Sequence, residues 1–238
     1  GVVMSLGHRA RLVCEGEGFE EVTSTERSVS HRMLLGLRVG LPLLSLVYRP
    51  PTMTMAATSH LPKAVVFDLD GCLWYPDMYM LWGGGAPFSL RTDRDLDDRA
   101  GKRVYLMGAV SEVLYELKTA DEWKETVIAV ASCTDEPEWA QECMRKFEIG
   151  QAGSGVYVKD VMQLEEIHKG NKRGHLKSIA DATGIALEDM LFLDNERGNC
   201  VDVAALGVTV AYCPEGVTAE AWRLALEKFP TKGDIINC

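Results

Sequence analysis

Two carboxylates one residue apart interrupt an apolar run in VVFDLDGCLW, Val65 to Trp74. Val65, Val66 and Phe67 lead straight into Asp68; Asp70 follows, and Gly71 comes next. Side chains two positions apart on an extended chain point the same way, so both acids face one site. Two further apolar runs end alike: TVIAVAS (126–132) passes into Ser132-Cys133-Thr134, and MLFLD (190–194) into Asp194-Asn195-Glu196. A single Asp after a strand commonly caps a helix or starts a turn, but three such ends carrying acids and a hydroxyl imply a shared task. Packed carboxylates need a cation. Asp68 and Asp194, with no imidazole or thiolate cluster beside them, suit a hard ion such as Mg²⁺. A carboxylate on such an ion can attack phosphorus and form an aspartyl phosphate. A neighbouring acid can protonate the leaving oxygen and then deprotonate the attacking water. Crowding favours keeping one acid protonated, which is the state the second role requires.

These residues must be positioned by regular elements, and from Lys63 onward strand-like and helix-like segments alternate. KAVVFD (63–68), TVIAVAS, MLFLD and GVTVAY (207–212) are continuous apolar runs suited to buried parallel strands. VYVKDV (156–161) is a shorter strand candidate. Helical spacing groups Val110, Val113, Leu114 and Leu117, and Pro137 opens a helix carrying Trp139, Cys143, Met144 and Phe147. Leu176, Ile179 and Ala180 mark another helix, stopped by Gly184. A last one begins near Thr218 and carries Trp222, Leu226 and Phe229. The alternation predicts an α/β fold with a doubly wound parallel sheet. Ligands bind such sheets beyond the carboxyl ends of the strands, where the acids lie. Tyr75 to Lys102 breaks the pattern. MYMLWGGGAPFSL suggests a small β-hairpin flap around Gly83, Gly84 and Gly85, followed by a solvated loop, with no room for a large cap domain.

The 238 residues are 47% hydrophobic and 25% charged, as expected of a soluble globular protein. A net charge of −10 argues against nucleic-acid partners, which demand basic patches. Seven scattered cysteines (14, 72, 133, 143, 200, 213 and 238) lack zinc-ligand spacing and suggest reduced thiols inside a cell. Residues 1–60 stand apart, with six Arg, five Glu, no Lys and no Asp. Met33 to Tyr48 is apolar but short for a membrane span and is interrupted by Arg38, Gly40 and Pro42. The expectation is an extension at 1–60, either disordered, a targeting segment from Met33, or irrelevant upstream of Met53 or Met55. Residues 61–238 then form the catalytic domain of a monomer without membrane partners. Its compartment is the cytoplasm, or a plastid or mitochondrion if the extension is a transit peptide.

FDLDGCLW, AVASCTDE, a lysine before a helix, and LFLDNERGNCVDVAALGV occur in an order that resembles the haloacid dehalogenase superfamily, and within it the magnesium-dependent phosphatases. The resemblance spans about Leu61 to Phe229 and implies a Rossmann-like core. By position, Asp68 resembles the nucleophile and Asp70 the general acid/base. Ser132 and the Cys133 amide resemble the phosphoryl-binding pair, and Lys172 the lysine that neutralises phosphate and nucleophile. The metal set implied is Asp68, the Asp70 carbonyl and Asp194, with Asn195 orienting a metal-bound water. The implied activity is Mg²⁺-dependent hydrolysis of phosphate monoesters, either phosphotyrosine in proteins or phosphorylated sugars and glycated amines, through an aspartyl phosphate. The alternatives are a catalytically idle binding module and a phosphotransferase or phosphomutase. Asp70 disfavours a dehalogenase, which needs no acid there. Two departures stand out: Cys72 where most relatives have Thr, and Asn195 where they often have a second Asp.

Overall fold

The computed structural model describes residues 60–238. The readings of the N-terminal extension lie outside the described residues. Six strands form a parallel sheet: β1 (Ala64–Phe67), β6 (Val127–Ser132), β7 (Leu164–Ile167), β8 (Met190–Asp194), β9 (Thr209–Tyr212) and β10 (Ile235–Asn237). Their order is β10-β9-β8-β1-β6-β7, so the chain builds outward from β1 to one side and later crosses to the other. That reversal makes β1 the switch point, with β6 and β8 as its neighbours.

Why the apolar runs become central strands follows from their two-sided burial. Val65 and Phe67 point into one core with α1 (Val110–Thr119), α2 (Pro137–Lys146) and α6 (Ala219–Lys228). Ala64 and Val66 point into the other, with α4 (Lys172–Thr183) and α5 (Arg197–Ala204). All four residues are fully buried. Each large apolar side chain so placed contributes roughly 1.5–3 kcal/mol. The helix ends are chemically marked. Asn171 accepts from the Gly174 amide at 2.8 Å, Thr218 accepts from the Ala221 amide at 3.0 Å, and Gly184 closes α4 at φ 71°. Caps of the first kind are each worth about 1 kcal/mol.

Three local expectations are corrected. VYVKDV is not a strand: Val158–Val161 is a short helix, α3, because the Tyr157 amide donates to the Asp160 carboxylate at 2.9 Å and starts a turn. The strand lies a few residues on, at β7. The hairpin does not turn at the glycines either. Met78–Leu81 is a 3₁₀ turn, and β2 (Trp74–Tyr75), β3 (Ser89–Leu90), β4 (Leu96–Asp97) and β5 (Arg103–Leu106) form an antiparallel sheet in the order β2-β5-β4-β3. Gly83, at φ +86°, sits in a tight turn closed by the Gly84 amide on the Leu81 carbonyl at 2.8 Å, while Gly84 and Gly85 serve close approach. A Cβ on Gly84 would lie 1.8 Å from the Asp98 carboxylate, and one on Gly85 2.2 Å from the Trp139 ring. The segment read as a solvated loop supplies β4 and the buried Leu96. β10 was not anticipated.

Candidate active site

Asp68 and Asp70 leave the end of β1, Ser132 ends β6, Asp194 ends β8, and Lys172 is the first residue of α4. Asp68, Asp70, Ser132, Cys133 and Lys172 line one pocket of about 250 Å³ with Asp77, Tyr79, Asp135, Glu196 and Asn199. The sheet therefore brings together residues more than 100 positions apart. Asp68, Ser132, Lys172 and Asp194 are all buried.

Lys172 reaches across the site. Its ammonium donates to Asp68 Oδ1 and, at 2.6 Å, to the Ala131 carbonyl, and it lies 3.4 Å from Asp194 Oδ2. Burial alone lowers a lysine pKa, but the charges of Asp68 and Asp194 outweigh it and hold Lys172 above its ordinary value. A lysine with 3% of its surface exposed is tolerable only with such partners.

The two strand-end acids of the DxD pair differ in environment. Asp70 accepts from Trp74 Nε1 at 2.8 Å and from the Met78 amide at 3.1 Å. Burial nevertheless pushes its pKa up to about 6, with the nearby Asp68 charge adding to the rise. It can thus carry a proton near neutrality. Trp74 is a supporting residue that sequence reasoning missed, since nothing in its position marks its indole as a donor.

On the other side of Asp68 lies the Asn195 amide. With its nitrogen turned inward it donates to the Asp70 carbonyl at 3.0 Å and to Asp68 Oδ2 at 3.3 Å. Turned over, the amide places its own oxygen there, 3.0 Å from the Asp70 carbonyl and 3.3 Å from Asp68 Oδ2, close to the roughly 3 Å ligand spacing of an octahedral Mg²⁺ shell. Among the described residues no three His, Cys, Asp or Glu side chains converge as a metal cage. The set relies instead on a carboxylate, a backbone carbonyl and an amide, all hard oxygen donors that fit Mg²⁺. Gly71 makes room for this: its φ is +70°, and a Cβ would lie 2.3 Å from the Asn195 amide nitrogen.

Asp194, at the end of β8, has partners of its own. Its carboxylate accepts from the Glu196 amide at 2.7 Å and from Asn199 Nδ2 at 3.1 Å, and faces Lys172. Burial, followed by the Asp68 charge, lifts its pKa to about 7. Asn199 was also missed, although its place one turn into α5 points it back at the strand end. Ser132 Oγ accepts from the Thr134 amide at 3.3 Å, which leaves its proton for a ligand. Cys133 is a thiol held above its ordinary pKa by burial against the opposing pull of Lys172. The Cys72 thiol donates to the Leu193 carbonyl at 3.5 Å, so this departure still ties the DxD loop to β8.

Residues 60–232 match the family model described as acid phosphatase. Magnesium-dependent phosphatase 1 of Homo sapiens is 34% identical over 173 residues, covering 72% of this chain and 89% of the relative. A HAD-like hydrolase superfamily protein of Schizosaccharomyces pombe is 30% identical over 159 residues, covering 65% of this chain and 87% of its own. Among solved structures, the N-terminal part of BF1531 from Bacteroides fragilis, which contains a phosphatase domain complexed with Mg, superimposes with a TM-score of 0.49. It is 20% identical, with 71% of this chain and 41% of that one covered. The strand-end acids, the buried lysine and these matched residues lead to one conclusion: the chain belongs to the acid phosphatase family of the haloacid dehalogenase superfamily.

Proposed function

We propose that this Mg²⁺-dependent phosphatase hydrolyses phosphate monoesters through a phosphoaspartyl intermediate on Asp68. One observation carries the reading. Asp68 is held between Lys172 on one oxygen and the Asn195 amide, which also meets the Asp70 carbonyl, on the other. Asp68, the Asp70 carbonyl and Asn195 would hold the ion, with Asp194 beside them supplying charge. When bound, the ion offsets the negative charge of the transferring phosphoryl group.

Lys172 and the Ser132 hydroxyl bind and orient the phosphoryl oxygens. The Asp68 carboxylate forms a bond to phosphorus as the bond to the leaving oxygen breaks, and protonated Asp70 gives that oxygen its proton. Asp70, now ionised, takes a proton from water as the water attacks the phosphoaspartate. Phosphate leaves and Asp68 is restored. The flap offers only a 3₁₀ turn at the pocket mouth, which leaves room for a phosphotyrosine side chain, a phosphorylated sugar or a glycated amine.

Turnover of an aryl phosphate by the purified chain, with Mg²⁺ and with EDTA, tests the reading. Rapid acid quench should trap a covalent phosphoprotein that Asp68→Asn does not form. Wild-type turnover by Asp68→Asn would remove the mechanism.

A further inference from the structure

Across the ridge formed by Asp77 and Tyr79, both of which line the catalytic pocket, lies a second cleft of about 460 Å³. Its walls include Tyr75, Tyr79 and Tyr105, its charged groups are Asp77 and Glu215, and no Lys or Arg lines it. The aromatic walls are fixed by local structure. Tyr75 and Tyr105 are direct partners across β2 and β5, with ring centroids 5.9 Å apart. The 3₁₀ turn buries Met78 and Leu81, and so turns Tyr79 outward, 68% exposed. Single exposed aromatics need no explanation. Two of them converging with the half-buried Tyr105 and two carboxylates beside a catalytic pocket do.

We infer that this cleft is the leaving-group subsite and selects phosphomonoesters whose alcohol side carries a cationic nitrogen, an ammonium or guanidinium, near the ester. The inference rests on the phosphatase reading above. Asp77 and Tyr79 line both the catalytic pocket and the cleft, so an alcohol that leaves the pocket past Tyr79 meets the cleft. Tyrosine faces attract cations, and the protein already uses this: the Arg103 guanidinium lies 5.2 Å over the Tyr105 ring. The local charge balance points the same way. Lys172 is engaged by Asp68 and Asp194, and Lys169 pairs with Asp135 at 3.0 Å. Asp77 and Glu215 form no ion pair among the described residues. With an ion bound, Lys172 and the ion would together carry three positive charges against four negative ones on Asp68, Asp194 and a doubly ionised phosphoryl group. Arg103, over Tyr105, is itself paired with Asp95, so what remains for the leaving group is negative; a second phosphate is repelled and a cation is drawn in.

The test compares kcat/KM of the full chain with Mg²⁺ on two matched sets. One is a phosphotyrosyl peptide with Arg, Gln or Glu beside the phosphorylated residue; the other is 2-aminoethyl phosphate against ethyl phosphate. Partly exposed ion pairs and cation–π contacts are each worth a few-fold, so the cationic member should lead its anionic or neutral counterpart by roughly tenfold. The difference should lie mainly in KM and shrink as salt is raised. A preference confined to the peptides assigns a polypeptide source, and one confined to the small pair a free amine. Glu215→Gln and Tyr105→Leu should each reduce the preference. Equal rates within both sets, or a preference that survives both variants, would overturn the subsite while a neutral aryl phosphate is still hydrolysed. Failure on the neutral ester too would overturn the phosphatase reading and the subsite with it.

Discussion

Replacing Trp74 by Phe isolates the hydrogen bond that restrains the general acid. Trp74 is fully buried, and its Nε1 donates to Asp70 Oδ1 at 2.8 Å, a bond that favours the ionised carboxylate. Burial works against it, and the two together leave Asp70 at about 6. A hydrogen bond to a charged group is worth about 1.5–3 kcal/mol, and one pKa unit corresponds to about 1.4 kcal/mol. Discounting for the partial solvent access of Asp70, loss of the indole donor should raise its pKa by about one unit. Protonated Asp70 is the form that assists departure of the alcohol, so the rate of phosphoryl transfer falls as pH rises through this value. In Trp74→Phe that fall should move up by about one pH unit. The bound ion shifts both proteins alike, and the difference between them survives its presence. The assay is single-turnover transfer from an alkyl phosphate, whose poor leaving group requires the proton, followed from pH 5 to 9. The smaller ring also costs roughly 1–3 kcal/mol of stability by leaving a void, which thermal melts would register separately. An unshifted limb, or one moved to lower pH, would refute the role of the indole.

Three further outcomes follow from the same geometry. Asn195→Asp should tighten Mg²⁺ binding by at least about tenfold in calorimetry. In EDTA it should lower the melting temperature, since the amide's donation to Asp68 and Asp70 is replaced by repulsion; stabilisation without metal would contradict the placement. Asp70 has a raised pKa, so the folded state keeps a proton that the unfolded state releases near pH 3.8. The metal-free protein should therefore lose stability as pH rises from about 4 to 6, by at most about 3 kcal/mol. Asp194 extends the loss toward 7, and melts in EDTA that rise through this window would exclude it. Gly71→Ala should weaken Mg²⁺ binding measured directly, because φ is +70° and the new methyl meets the Asn195 amide; unchanged affinity would place Asn195 outside the metal set.

Much of the core was legible in the chain because it follows from local periodicity. Val65, Val66 and Phe67 read as a strand buried on both faces, as the sheet shows. Pro137 and Gly184 mark helix ends through their backbone geometry, and α1 and α6 show their buried stripes at helical spacing. The crevice followed as well, since acids at the ends of parallel strands converge wherever the strands are neighbours. The amino-acid pattern did not determine which group turns toward which. VYVKDV has strand composition, yet one carboxylate three residues along makes it a helix. The glycines at 84 and 85 mark close packing against Asp98 and Trp139, contacts 14 and 54 residues distant, rather than the turn of a hairpin. Asp194 and Asn195 are adjacent in sequence, but their side chains leave the chain on opposite sides. Lys172 and Asn199 draw one back, and Asp68 with the Asp70 carbonyl receives the other. The aromatic cleft arises only when β2 pairs with β5. Periodicity and strand-end chemistry depend on neighbours along the chain, and the orientation of each functional atom depends on partners that only the tertiary fold brings within reach.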